Sequence, residues 1–153
     1  MLAQAIKRRL SKEENQKGFT LIELLAVIVI LGIIAVIAIP LIGNVINNAK
    51  DDSNLTTASQ VYNAARLYMV SEKGGAYNST TLADLTLDNL QGEGFLDDPV
   101  YLPSTKIELS GVTVQFDTDG KLVDVSGVAV TLTPTSGTAV NFSAEEVLKA
   151  EKD

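Results

Sequence analysis

The sequence predicts an α+β protein. One long N-terminal α-helix, transmembrane in its first half, packs by its second half against a small antiparallel β-sheet. Two observations predict this class. Leu24–Ile42 reads LLAVIVILGIIAVIAIPLI, and no charge interrupts the chain from Leu24 until Lys50. The apolar period then changes from helical spacing over residues 55–69 to strict alternation from Val112 onward.

Composition narrows the chemistry. The chain of 153 residues has no His, no Cys and no Trp. Imidazole and thiolate metal sites, haem ligation, Cys nucleophiles and Ser-His-Asp catalysis are therefore excluded. No cofactor and no enzymatic activity are expected. The net charge is −7 and is unevenly placed: residues 1–18 carry +3 and the remainder −10. An acidic body disfavours direct nucleic-acid binding, which needs clustered Lys or Arg.

Taken in order, residues 1–18 form a basic head containing Lys7, Arg8, Arg9, Lys12 and Lys17. Residues 19–43 match the roughly 20 apolar residues that cross a hydrocarbon core, and every face is apolar, unlike a soluble core helix. A cleaved secretory signal would have a shorter apolar region ending at a small-residue site, which is absent here. The positive-inside rule puts the N-terminus in the cytoplasm and the body outside. Gly32 and Pro40 lie within the run, where membrane helices tolerate them; Pro40 should kink or loosen the helix near Val36.

Residues 44–75 continue the helix as an amphipathic segment. Leu55, Ala58, Tyr62, Ala65 and Met69 form the apolar stripe, Asn54, Thr57, Gln60, Asn63 and Arg66 the polar side, and Gly74-Gly75 the stop. From Phe19 to Lys73 such a helix would measure about 80 Å at the standard rise. Residues 76–105 read as a variable loop with one or two helical turns near Thr81. Residues 106–142 read as three or four strands. Val112, Val114 and Phe116 alternate with polar residues, Asp119-Gly120 marks a turn, and Leu122–Ser126 reads as the returning strand. A second hairpin turns at Pro134–Gly137. Residues 143–153 form a short final helix, opened by the capping pattern Ser143-Ala-Glu-Glu146.

Glu23 stands out. A carboxylate deep in lipid costs roughly 2.5–3.5 kcal/mol on insertion scales. Two readings stand: Glu23 marks the membrane interface, or it requires a cationic partner inside an apolar assembly.

Lys17-Gly-Phe-Thr-Leu-Ile-Glu23-Leu24, followed by the apolar helix, resembles the N-terminus of a type IV pilin precursor, a family that includes type II secretion and competence pseudopilins. The resemblance is close over residues 7–50. It implies a pilin-like fold, removal of the leader by prepilin peptidase between Gly18 and Phe19, and N-methylation of Phe19. It also implies helical assembly of identical subunits through Glu23 and the new Phe19 amine, served indirectly by an assembly ATPase and a platform protein. The subunit would be a single-pass membrane protein before assembly and part of a surface filament after it. The leader is longer than many in the family, and without cysteines the C-terminal disulfide loop of many Gram-negative pilins cannot form. The leader's character and Gly94–Tyr101 resemble Gram-positive members. The alternatives are a competence or secretion pseudopilin or, in another class, a single-pass anchor for an extracellular binding domain, which would have no use for Glu23 or the Gly18–Phe19 junction.

Other motifs carry less. Asp117-Thr-Asp-Gly120 cannot be a full EF-hand loop, because Val128 stands at the twelfth position. The sequons at Asn54, Asn78 and Asn141 read as chance matches in a Ser/Thr-rich chain. Asp97-Asp98 and Glu145-Glu146 read as solvated surface.

The processing expectation is open to mass spectrometry. The mature chain should begin at Phe19 and carry one added methyl group. A bulky residue in place of Gly18 should leave uncleaved precursor in the membrane, and leader residues in mature surface material would contradict the assignment.

Overall fold

The structure, a computed structural model, describes residues 2–4 and 20–150. The chain divides after Val45 into two compact units. The longest element, α1 (Leu21–Glu72), has 52 residues and supplies helix to both.

In the first unit α1 is rich in Val and Ile, residues of modest helix propensity in water. Helix is nevertheless what a segment crossing a membrane would have to form, because lipid would offer its backbone groups no other partner. The helical stretch runs through Gly32 and Pro40. Pro40 has no N–H, so the Val36 carbonyl lacks its usual donor there.

In the second unit α1 turns amphipathic. Ala58, Val61, Tyr62, Ala65, Tyr68 and Met69 are buried and form the helical side of the core. Leu55 packs against this cluster and is only partly buried. The polar side differs from its sequence expectation, because Asn54 and Thr57 are buried as well. Asn54 is satisfied by Ser104. Its Nδ2 donates to the Ser104 hydroxyl at 2.9 Å, and its Oδ1 accepts the Ser104 N–H at 3.1 Å. The Thr57 hydroxyl donates back to the Ser53 carbonyl at 3.3 Å. Polar side chains thus enter the packed face without orphaned groups. Helix α1 ends where Gly74 and Gly75 take positive φ, and the Gly75 N–H reaches the Met69 carbonyl at 2.9 Å.

Two short helices lie in the segment read as a variable loop with one or two helical turns near Thr81, the first of them at that place. Asn78 opens α2 (Ser79–Ala83), accepting the Thr80 and Thr81 N–H groups on its Oδ1 at 3.0 Å each. Thr86 opens α3 (Leu87–Gly92), which buries Leu87 and Leu90. Lys73 is paired with Asp84 at 2.7 Å. That hydrogen bond holds the Lys73 ammonium above its ordinary pKa, so the contribution is present below the ordinary lysine range and fades as pH rises through the shifted value.

The sheet has the order β1-β2-β3-β4, all pairs antiparallel: β1 (Tyr101–Leu102), β2 (Ile107–Val114), β3 (Val130–Pro134) and β4 (Val140–Phe142). Alternation buries Leu109, Val112 and Val114 of β2, and Val130 and Leu132 of β3. The β2–β3 register shifts between Leu109 and Gly111. Beside it the Ser110 hydroxyl reaches the Thr133 and Pro134 carbonyls, each at 3.2 Å. The second hairpin, β3 to β4, turns where the sequence indicated.

The first hairpin does not form as expected. Leu122–Ser126 makes no strand; it contributes only bridges from Leu122 to Phe116 and from Val125 to Val128. Val125-Ser126-Gly127-Val128 instead turns tightly, with Ser126 at φ 56° and Gly127 at φ 82°. Two consecutive positive φ values mark a type I′ turn, which returns the chain at once and gives the place beside β2 to β3. Helix α4 (Ala144–Ala150) starts with the expected box: Glu146 accepts from the Ser143 N–H at 2.8 Å and from its hydroxyl at 2.7 Å. These bonds hold the Glu146 carboxyl below its ordinary pKa, so this capping is present above the ordinary glutamate range and is lost as pH falls through the lowered value. Asp124 adds a third bond, accepting the Ala144 N–H at 2.7 Å.

Gly120 combines φ 79° with a close approach: a Cβ there would overlap the Tyr77 ring. Gly75 has a similar φ of 75° but open space around it. Gly75→Ala should therefore cost about 1–2 kcal/mol, the left-handed penalty alone. Gly120→Ala should cost about 1–3 kcal/mol more, because the aromatic ring must also shift. Thermal unfolding of the two variants followed by circular dichroism checks this order.

Candidate functional site

The candidate site is the start of α1. Thr20 precedes the helix and Glu23 lies in its first turn. Glu23 Oε2 accepts the Thr20 N–H at 2.8 Å and the Thr20 hydroxyl at 3.0 Å, and the Thr20 hydroxyl oxygen accepts the Glu23 N–H at 3.3 Å. This is a capping box closed by the same glutamate that interrupts the apolar sequence. The Leu24 N–H bonds to the Thr20 carbonyl at 3.1 Å and begins the helical ladder. Among the described residues nothing donates to Glu23 Oε1, and no cation lies within ion-pair distance of the carboxylate.

Beyond Glu23 the first unit is a helix without a core. Its large apolar side chains are half exposed or more, from Val27 at 51% to Val36 at 76%. α1 is long and apolar enough to cross a membrane, and none of its most apolar stretch is buried. The apolar surface left open is large.

Of the residues singled out by sequence, Glu23, Gly32 and Pro40 lie in α1. A Cβ on Gly32 would meet nothing within 4 Å, so the packing of this chain alone gives no reason for glycine there. Gly18 and Phe19 lie outside the described residues. Thr20 was missed as a site residue. Its signal was the Thr-x-x-Glu spacing within the recognised motif, which is also the signature of an N-terminal cap. Among the described residues no group of three His, Cys, Asp or Glu could hold a metal. Of the sequons, Asn54 is buried against Ser104, whereas Asn78 is exposed and serves as the cap of α2.

The capping box has a measurable consequence. Thr20→Val removes the hydroxyl and should weaken the first turn by about 0.5–2 kcal/mol, the usual worth of an N-cap. Hydrogen exchange of the chain in detergent micelles should then speed up at Glu23 and its neighbours by roughly 2- to 30-fold, with amides beyond Ile28 unchanged. Thr20→Ser should exchange like the parent.

Comparison with known proteins bears on the same segment. The family described as the prokaryotic N-terminal methylation motif matches residues 15–39. Over 117 residues, covering 76% of this chain, the sequence is 27% identical to "Fimbrial protein" of Neisseria meningitidis serogroup B (strain ATCC BAA-335 / MC58). The match spans 65% of that relative's length. No solved structure matches the chain. The matched motif and the fimbrial relative support the resemblance of this chain to type IV pilins, and the long apolar helix and antiparallel sheet are consistent with it.

Proposed function

We propose that the chain is the precursor of a structural subunit of a type IV pilus-like surface filament and has no enzymatic role. The observation that carries the reading is one carboxylate at the head of the uncovered apolar half of α1, inside the stretch that matches the methylation motif. In this reading the basic residues 1–18 stay cytoplasmic and residues 19–43 anchor the subunit in the membrane. Prepilin peptidase cleaves after Gly18, and Phe19 becomes the methylated N-terminus. The body beyond the span is then extracellular, and identical copies pack through their helices, with the assembly ATPase and platform protein acting on the machinery rather than on the folded body.

The chemistry of the first turn explains why cleavage would precede assembly. Before cleavage Phe19 carries an amide, which offers no charge. After cleavage its amine is cationic and four residues from Glu23. In an assembly the amine of one copy can meet Glu23 of the next, so both charges are compensated away from water. Glu23 Oε1 is the oxygen that the capping box leaves open. Removing one partner of a buried charge pair typically costs about 3–5 kcal/mol. The name of the Neisseria relative, a fimbrial protein, favours a pilus over a pseudopilus.

The test is Glu23→Val. It should insert and be cleaved normally, because the substitution removes a polar group from an apolar span. Sheared surface filament, measured against mature subunit retained in the membrane, should fall by about a hundredfold or more, as expected for 3 kcal/mol or above. Glu23→Gln should be intermediate. Normal filament yield from Glu23→Val would contradict the assembly role and leave Glu23 as a marker of the interface.

A further inference from the structure

We propose that the exposed face of α1 around Arg66 is a docking surface for a second copy of this chain, with the Arg66 guanidinium receiving a carboxylate of that copy. The inference rests on the filament reading and adds to it a contact outside the membrane helix.

Three observations carry it. First, few large apolar side chains of the second unit remain open, and two of them, Leu67 and Val70, are each 55% exposed. With Asn63 and Arg66 they follow the spacing of a single helical face and line one surface concavity. Second, Arg66 is the only arginine beyond the leader. The ion pairs among the described residues, Lys73–Asp84 and Lys149–Glu145, do not involve it. Its exposed guanidinium therefore stands beside apolar surface with no ion pair among the described residues. Third, the rest of the body is strongly acidic, and Glu93, Asp97 and Asp98 are exposed carboxylates that also lie outside those ion pairs.

Charge complementarity selects the occupant. Acidic bodies brought side by side repel one another unless a cation lies in the contact. Arginine suits that place. Its planar fork grips a carboxylate through two parallel bonds, and its stem covers apolar neighbours. The surface is also shaped: on the other side of Leu67 an open groove of about 420 Å³ runs between α1 and the segment of Phe95, Leu96 and Asp97. Contact of one patch with a different patch on the next copy is heterologous, the kind that builds open helical arrays.

The test uses the full chain in cells that assemble it. A photo-crosslinking residue in place of Val70 should give, in filaments, a product of two subunit masses, and no such product from mature subunits dispersed in the membrane. Arg66→Glu should be cleaved and retained normally in the membrane but lower filament yield by about tenfold or more, since like charges facing each other across an interface cost several kcal/mol. Arg66→Lys, which keeps the charge but loses the fork, should give a yield between the two. A crosslink to lipid or to a different protein overturns the proposal, as does an Arg66→Glu yield equal to the parent. Parent cells without filaments would fail the filament reading itself, whereas filaments without the two-subunit crosslink would fail this inference alone.

Discussion

A carboxylate at the head of the apolar first half of α1 is the constraint on which the account of this chain turns. Glu23 has to be stabilised wherever the helix goes. In the structure it is partly stabilised from within, by the Thr20 N–H and hydroxyl, and in return it caps the helix. That arrangement removes hydrogen-bonding need but leaves a full negative charge. Hydrogen bonds from one threonine cannot neutralise it, and among the described residues no cation does. A group satisfied in hydrogen bonding yet uncompensated in charge suits a helix that must wait in one setting and bind in another.

The second unit answers to different rules. Its core joins one face of α1 to the inner faces of β2 and β3, with Met69, Leu90, Leu102, Leu132, Val130 and Val147 almost fully buried. With no cysteines, its connections are held by packing, caps and turns. Asn54 and Ser104 join α1 to the segment after β1, Tyr77 covers the Gly120 turn, and Asp124 with Glu146 secures the start of α4. Each is a small contribution, about 1 kcal/mol or a little more. They matter because a body of about 100 residues has only a modest core to spare.

Much of this was legible in the sequence because the signals are local. The apolar run defines the first half of α1, the stripe through Ala58, Tyr62, Ala65 and Met69 defines its packing face, and Gly74-Gly75 its end. Ser143-x-x-Glu146 gave the cap of α4. What was misread depended on competition between distant segments. Leu122–Ser126 alternates like a strand, yet the type I′ turn at Ser126-Gly127 returns the chain early and β3 takes the place beside β2. Asn54 and Thr57 look like solvent-facing helix residues, and nothing local reveals that Ser104 arrives to cover Asn54. At the site, Glu23 was visible through its cost in an apolar environment, whereas Thr20 was hidden inside a motif already given another meaning.

The most direct measurement of the central claim is the distance between Glu23 and the N-terminal amine of a different copy. Filaments grown from a mixture of subunits, half labelled with ¹³C at the Glu23 carboxylate and half with ¹⁵N at the Phe19 amine, isolate contacts between copies in solid-state NMR. The account predicts ¹³C–¹⁵N dipolar dephasing that corresponds to about 4 Å, the span of an ion pair. Absence of dephasing in the mixed filaments, with strong dephasing when one chain carries both labels, would show that the carboxylate serves only its own helix and would contradict the account.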